Sequence, residues 1–550
     1  MNRDRKKATD PSGLMRRAET ARRQGEPAQA AGLYAAVLAR YPANRRARNG
    51  LRALGAPVAR QIAAAAQALE AKGRHARAEE QWHLAALICP ESIAIAVALA
   101  RCRQRLGRLT AGLEGIAKIL AIHPHAPEPL DMRGCLLRDL GQFDAAERSF
   151  EEALRGTPGD AAPLNHLGTL AQARGDLVTA SAYYRRALAC RPDAADLHAN
   201  LAAVSSYVSG DPHIAEMEAL LPEAAPAAQA ALHFALFRAH DATGDRQRAF
   251  DHLIAGNALR KAAIGYDIAR DAVIFGQLKA MLSAPVPDIR PGRPGALRPI
   301  FVVGLPRTGT TLVERILSRC EGVQAAGELS VVSHVAEELL ADVAVRPDPA
   351  LTADNLAGFR DRVLKDLRIR SDGAPVIVDK MPLNFRWAGL ICAALPEARI
   401  LRMERAPMAV AWSLYRNSFA GPGNGYAYDM ADIVAYMALF RDLSAACEAR
   451  FPDRIRAVDY AALVESPETS ARALLDHCGL PWSTACLTPA KTDPPALTAS
   501  AVQVRRPIYR GADDAWRRYA FALRPLVEGL SAAGFEIPRQ ERQSVALSDP

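Results

Sequence analysis

The stretch PIFVVGLPRTGTTLVERIL, residues 299–317, concentrates residue types that can hold and activate an anion. PIFVVG is a short apolar, β-branched run that predicts a strand, and GLPRTGTTLVERIL turns from it into an amphipathic helix. Gly304 to Thr311 follows the phosphate-loop outline G-x-x-x-x-G-K-[ST], except that Thr310 stands where the lysine belongs. Backbone N–H groups of such a loop, with the helix N-terminus near Gly309, form a nest for an anion. The missing lysine argues against triphosphate chemistry, in which it bridges the β- and γ-phosphates. Arg307 supplies a cation at a different point of the loop. A second strand-to-helix passage, RILRMERAPMAVAWSLYRNSF, follows at 399–419, with Pro407 suited to a first helical turn and Ser413 eight residues beyond Arg405. A third apolar strand, in APVIVDKMP, ends at Asp379, which reads either as a magnesium-holding carboxylate or as a structural one.

PRTGTT, residues 306–311, resembles the 5′-phosphosulfate loop of sulfotransferases, whose usual form is P-[KR]-[ST]-G-T-[TS]. The resemblance implies that Arg307, Thr308, Gly309, Thr310 and Thr311 bind the donor 3′-phosphoadenosine 5′-phosphosulfate. Arg405 and Ser413 are similar to the family's 3′-phosphate motif, an arginine at a strand end and a serine two helical turns on. Among the tyrosylprotein sulfotransferases a lysine followed by x-Pro occupies the position of Lys380, which carries over as a cation beside the transferring group and leaves Asp379 structural. Glu328 in AAGELS lies 21 residues after Arg307. The tyrosylprotein enzymes carry a catalytic glutamate in a similar Gly-Glu pair, and a carboxylate in a cleft of cations keeps its negative charge. Ser500 and Arg506 align with a serine and a basic residue before proline in the same enzymes, and Tyr460 in VDYAALVESPE with a Tyr-x-x-Leu motif; packing is an equal reading for Tyr460. The expected site is thus Glu328, Arg307 and Lys380 for catalysis, with the loop residues, Arg405, Ser413, Tyr460, Ser500 and Arg506 around the donor and no metal. The acceptor hydroxyl is left open between tyrosine, sugar, lipid head group and phenol. Two other readings stay open: a phosphate-loop kinase, and a scaffold whose nucleotide-binding domain is inactive.

These residues need a platform, and the sequence divides accordingly. Gly73, Gly107, Gly141 and Gly175 recur every 34 residues, each followed 17 positions later by Pro90, Pro124, Pro158 or Pro192; Gly25 and Pro42 keep the same offset. A glycine lets one helix turn tightly into its antiparallel partner, and a proline ends the partner. Small residues stand where such helices touch: Ala78, Gly112, Ala146 and Ala180 after the glycines, Ala100, Gly134 and Gly168 before them. The pattern resembles tetratricopeptide repeats, for which 34 residues is the period, and a degenerate last pair surrounds Gly244 and Ala249. Such arrays stack into a superhelix whose concave face commonly holds a peptide or protein. APVPDIRPGRPGALRP, from Ala284, cannot extend a helix and predicts the domain boundary. The expected organisation is a disordered terminus at 1–20, a repeat array at 21–283, a linker at 284–296, a catalytic domain at 297–537 and a polar tail at 538–550. The fold class is an α-helical tetratricopeptide superhelix followed by a phosphate-loop-like three-layer α/β domain with a mostly parallel sheet.

Composition narrows the partners. Half of the 550 residues are hydrophobic and 23% charged, as in globular proteins. A formal net charge of +9 favours anionic ligands. The arginines are scattered through helical stretches without a basic run interleaved with aromatics, so nucleic acid is not expected. Nine cysteines without a CxxC pair indicate neither a disulfide framework nor a zinc site. His123 and His125 flank a repeat-ending proline and read as repeat surface. With no signal-peptide pattern and no stretch of roughly 18 apolar residues, no membrane span is expected and a cytoplasmic location is.

Overall fold

The computed structural model describes residues 11–285, 287, 289–290, 296–344, 351–419, 422–487, 513–539 and 542. They form two compact units. One runs to Ala171 and includes Val178–Pro192; the other holds Gln172–Leu177 and the described chain from Asp193 onward.

The first unit is a succession of antiparallel helix pairs such as Gly55–Ala71 with His75–Ile88, and Pro127–Asp139 with Phe143–Gly156. Gly73, Gly107 and Gly141 of this unit, and Gly175 in the segment Gln172–Leu177, sit just past helix ends with φ of 70°, 69°, 75° and 83°. This is the left-handed C-cap conformation that a Cβ disfavours. The small residues are where helices meet. A Cβ on Gly134 would stand 2.4 Å from the Phe150 ring, and one on Gly168 would stand 2.6 Å from Tyr184. The terminus expected to be disordered at 1–20 is in part helical. Pro11–Arg23 is a helix that buries Met15, Ala18 and Ala21, an apolar stripe spaced three residues apart, in one core with Ala30, Ala31 and Tyr34 of its partner helix Pro27–Arg40.

The second unit begins well before the proline-rich stretch. Helices Pro226–Thr243, Arg246–Ile264 and Ile268–Ser283 contribute Phe237, Phe250 and Phe275 to the core that also holds Phe301, Trp412 and Tyr519. Asn257 donates to the Tyr415 carbonyl at 3.0 Å, and the Tyr519 hydroxyl to Asp241 at 2.8 Å. The compact boundary therefore lies near 192 rather than at 284–296. The proline-rich stretch breaks the helix, but the large apolar side chains of the preceding helices bind them to the sheet.

Among the described residues that sheet has five strands: β1 (Arg298–Gly304), β2 (Val323–Ala325), β3 (Val376–Asp379), β4 (Arg399–Glu404) and β5 (Ile455–Asp459). The order is β2-β3-β1-β4-β5 and every pairing is parallel, with Phe301 opposite Asp379 and Ile400. Alternation along each strand separates two cores. Phe301, Val303, Ile377 and Ile400 face one layer of helices; Ile300, Val302, Val378, Leu401 and Met403 face the other. Coverage on both faces is what the near-continuous apolar strands require. Among the described residues no helix is long and apolar enough to cross a membrane.

Candidate active site at the strand ends

Because the strands are parallel, their C-terminal ends open on one edge, the usual ligand edge of such sheets. Each end leads into a candidate residue. β1 runs into the loop of Arg307, β2 leads to Glu328, β3 ends one residue before Lys380, β4 one before Arg405, and β5 one before Tyr460.

The β1 loop has the backbone of an anion nest. Arg307 has φ 73° and Gly309 φ 98°, and the helix Thr310–Leu317 starts directly behind them. At Gly309 a Cβ would stand 2.5 Å from the Tyr460 ring. Tyr460 thus packs beneath the loop, and its ring also carries the Arg405 guanidinium 4.5 Å from its centroid. Arg405 donates to the Arg307 carbonyl at 2.8 Å and pairs with Asp513 at 2.6 Å. Arg307 Nε donates to Ser413 Oγ at 3.2 Å. Arg307, Arg405, Ser413 and Tyr460 are thereby one contact group. Thr308 differs from its companions: buried, it turns its hydroxyl back to the Leu305 carbonyl at 2.7 Å, which leaves its backbone N–H as the group that can face an anion. Thr310 and Thr311 open the helix, where N–H groups lack intrahelical acceptors. Ser500 and Arg506 lie outside the described residues.

The electrostatics of this group are cationic. Burial, then the charges of Arg405 and Arg416, push the Arg307 guanidinium down to about 10. Arg238, from helix Pro226–Thr243, is also held below its ordinary value, by burial and then by Arg416. Guanidiniums crowded against one another while still protonated at neutral pH favour any anion that enters between them. Arg238, Arg416 and Asp513 escaped the sequence reading; their types are those of surface residues, and only the fold brings them here.

A second group forms around Lys380, which is 1% exposed. Its Nζ donates to Glu328 at 2.5 Å and stands 3.9 Å from Glu314. Glu328 is in a loop three residues ahead of helix Val331–Ala344, with its side chain 44% exposed, so it is neither the helix cap nor part of the helix surface. The loop is fastened from three sides. Gly327 N–H donates to Glu314 at 3.1 Å, Lys380 N–H to the Gly327 carbonyl at 2.8 Å, and Leu329 N–H to Asp379 at 3.3 Å. Asp379 also accepts from Asn384 at 3.1 Å. Its carboxyl is therefore spent on holding the loop that carries Glu328. The role of Glu314 was also missed, since an acid in TTLVERIL looks solvated. Burial raises the Glu314 carboxyl, and the Lys380 ammonium partly offsets that. The stretch Pro422–Tyr428 is a packed connection, with Gly425 so close to Tyr266 that a Cβ would stand 2.4 Å from its ring.

Burial, against the pull of the Leu329 N–H, raises Asp379 to about 8. Because this folded-state value exceeds the unfolded value of roughly 3.9, folding takes up a proton between about pH 4 and 8, and stability falls as pH rises through that window. Urea unfolding between pH 5.5 and 8 is expected to show a downward slope of up to about 1.4 kcal/mol per pH unit that Asp379→Asn removes. An unchanged slope in the variant would assign the proton elsewhere.

Two family models match the chain. Residues 299–484 match the Sulfotransferase family, and residues 15–51 and 132–195 match the Tetratricopeptide repeat. The chain is 31% identical over 416 residues to an uncharacterized protein of Aquifex aeolicus (strain VF5), covering 73% of this chain and 54% of that one. It is 23% identical over 197 residues to the protein-tyrosine sulfotransferase of Drosophila melanogaster, covering 34% of this chain and 39% of the relative. The chain thus spans about half the length, or less, of these curated relatives. Among solved structures it is similar to the sulfotransferase domain of the Synechococcus PCC 7002 olefin synthase, with 17% identity, a TM-score of 0.33, and coverage of 46% of this chain and 100% of that domain. Residues 299–484 thus form a domain that matches the Sulfotransferase family, with matches to the Tetratricopeptide repeat ahead of it.

Proposed function

We propose that this chain transfers a sulfonate group from 3′-phosphoadenosine 5′-phosphosulfate to an acceptor hydroxyl. The observation that carries the reading is the convergence, on one edge of a parallel sheet, of an anion-nest loop, three strand-end cations and a carboxylate in contact with one of them. Glu328 takes the acceptor proton, and the acceptor oxygen forms a bond to sulfur as the bond from sulfur to the phosphate oxygen breaks. The electron pair leaves on that oxygen, giving adenosine 3′,5′-bisphosphate. Arg307 and Lys380 stabilise the charge that develops on the sulfonyl and bridging oxygens. Arg405 and Ser413, joined through Arg307, are assigned to the 3′-phosphate. Cationic side chains take the part that magnesium plays for triphosphates, so no metal enters the transfer step. The name of the Drosophila relative favours a tyrosine in a peptide among the open acceptor classes, and the repeats suit recruitment of a peptide or protein.

Sulfur-labelled donor incubated with the purified chain and host lysate is the test. Label is expected in an acceptor fraction with the native chain and to fall to background with Glu328→Gln. Equal labelling by the variant, or none by either, would count against the reading.

A further inference from the structure

Three groups of potential metal ligands lie among the described residues. Two already use their imidazoles in hydrogen bonds. His166 Nδ1 is 2.8 Å from Asp131, and His213 engages both ring nitrogens, with His198 at 2.9 Å and the Tyr207 hydroxyl at 2.8 Å. The third differs. Glu218, His240 and His252 stand on three successive helices, Pro212–Leu220, Pro226–Thr243 and Arg246–Ile264, with one ligand atom from each within 4.8 Å of the others.

His240 is 5% exposed, and its Nε2 is buried without a hydrogen-bond partner. That nitrogen faces Glu218 Oε1 at 3.4 Å, where no aligned hydrogen bond forms. Buried polar atoms are rarely left unsatisfied, so a buried ring nitrogen 3.4 Å from a carboxylate and within 4.8 Å of a nitrogen of the stacked His252 imidazole signals a third party. Two ligands about 2.0–2.1 Å from a tetrahedral zinc lie about 3.3 Å apart, close to the 3.4 Å of the Glu218–His240 pair, while the His252 ligand atom lies within 4.8 Å of both. The outer layer is also present. His252 Nδ1 meets His233 Nδ1 at 2.9 Å, the kind of second hydrogen bond that fixes the tautomer and orientation of a ligating imidazole. Glu218 is 43% exposed on its side chain, which gives an ion a route in from solvent.

We propose that Glu218, His240 and His252 bind one divalent ion of the zinc class, with two nitrogens and one oxygen from the chain and the remaining position for water. The ion cross-links the nine-residue helix Pro212–Leu220 to the following hairpin. It also fixes the helix end that carries Asp241, the neighbour of His240, which accepts from Tyr519 at 2.8 Å and pairs with Arg416 at 3.5 Å. This site lies outside the proposed transfer chemistry and does not depend on it.

The full chain, prepared without a polyhistidine tag, stripped with a chelator and dialysed, is titrated with zinc(II) alone by calorimetry and with cobalt(II) by visible absorption. The expected result is about one ion per chain, a raised Tm, and cobalt bands of a four-coordinate nitrogen and oxygen set without thiolate charge transfer. His252→Gln and Glu218→Gln are each expected to weaken binding by at least about tenfold, and His233→Gln by about 10- to 100-fold. His198→Gln leaves it unchanged. Glu218→Gln, at a half-exposed position, keeps the test valid should His252→Gln fold poorly. No stoichiometric binding, or binding untouched by Glu218→Gln and His252→Gln, would overturn the proposal.

Discussion

Glu328→Gln is expected to lower sulfonate transfer by about 10²- to 10⁴-fold, the range for removing a positioned base. Affinity for adenosine 3′,5′-bisphosphate should hardly change. The separation follows from the contacts: Glu328 touches Lys380, whereas Arg307, Ser413, Arg405 and Tyr460 form a distinct group that does not include it. Gln keeps the size and can still accept from the Lys380 ammonium. It cannot take the acceptor proton, so the loss appears in turnover and not in nucleotide binding. A phenol of low pKa arrives nearly ionised and scarcely needs a base, so it should restore most of the rate of this variant. Full activity of Glu328→Gln on an unactivated alcohol would show that another group is the base.

Lys380→Met is expected to produce the complementary defect, a loss of about 10²- to 10³-fold that an activated phenol does not repair. The ammonium is buried at 1% exposure between Glu328 and Glu314, in surroundings where burial already raises Glu314. Met preserves most of the volume and deletes the charge. Stability should fall by about 1–3 kcal/mol at neutral pH, since Glu314 loses the cation beside it. The contribution of Glu328 is small because that side chain is nearly half exposed and solvent screens it. Single-turnover rates with activated and unactivated acceptors, alongside urea unfolding, read both effects. Rescue of Lys380→Met by the activated phenol to the same degree as Glu328→Gln would place the lysine with the base and not with the departing charge.

Much of the scaffold was legible because it is written in local spacing. The 34-residue period, the glycines at helix ends and the strand run before Gly304 depend on nearest-neighbour physics, and the structure places them as the spacing demands. Glu328 and Lys380 lie 52 residues apart; the resemblance to known enzymes singled out each of them, and only the fold shows that they touch. Glu314 escaped notice because its helix is short and amphipathic; what marks it is the Gly327 N–H and the Lys380 ammonium, both supplied by other segments. Asp513 is likewise one acid in a polar stretch until the fold sets it against Arg405, 108 residues away. The misplaced boundary has the same origin. A proline-rich stretch reports where a helix cannot continue, whereas the allegiance of Phe237, Phe250 and Phe275 to the sheet is decided by tertiary packing.

Whether the strand-end edge takes 3′-phosphoadenosine 5′-phosphosulfate is decided by calorimetric titration of the full chain with adenosine 3′,5′-bisphosphate and with AMP. The two ligands share the adenosine and the 5′-phosphate and differ in the group assigned to Arg405 and Ser413. A hydrogen-bonded charge pair there is worth about 1.5–3 kcal/mol, so the bisphosphate should bind about 10- to 150-fold more tightly than AMP. Arg405→Ala should bring the two affinities together. Equal affinities of the native chain for both nucleotides would contradict the account.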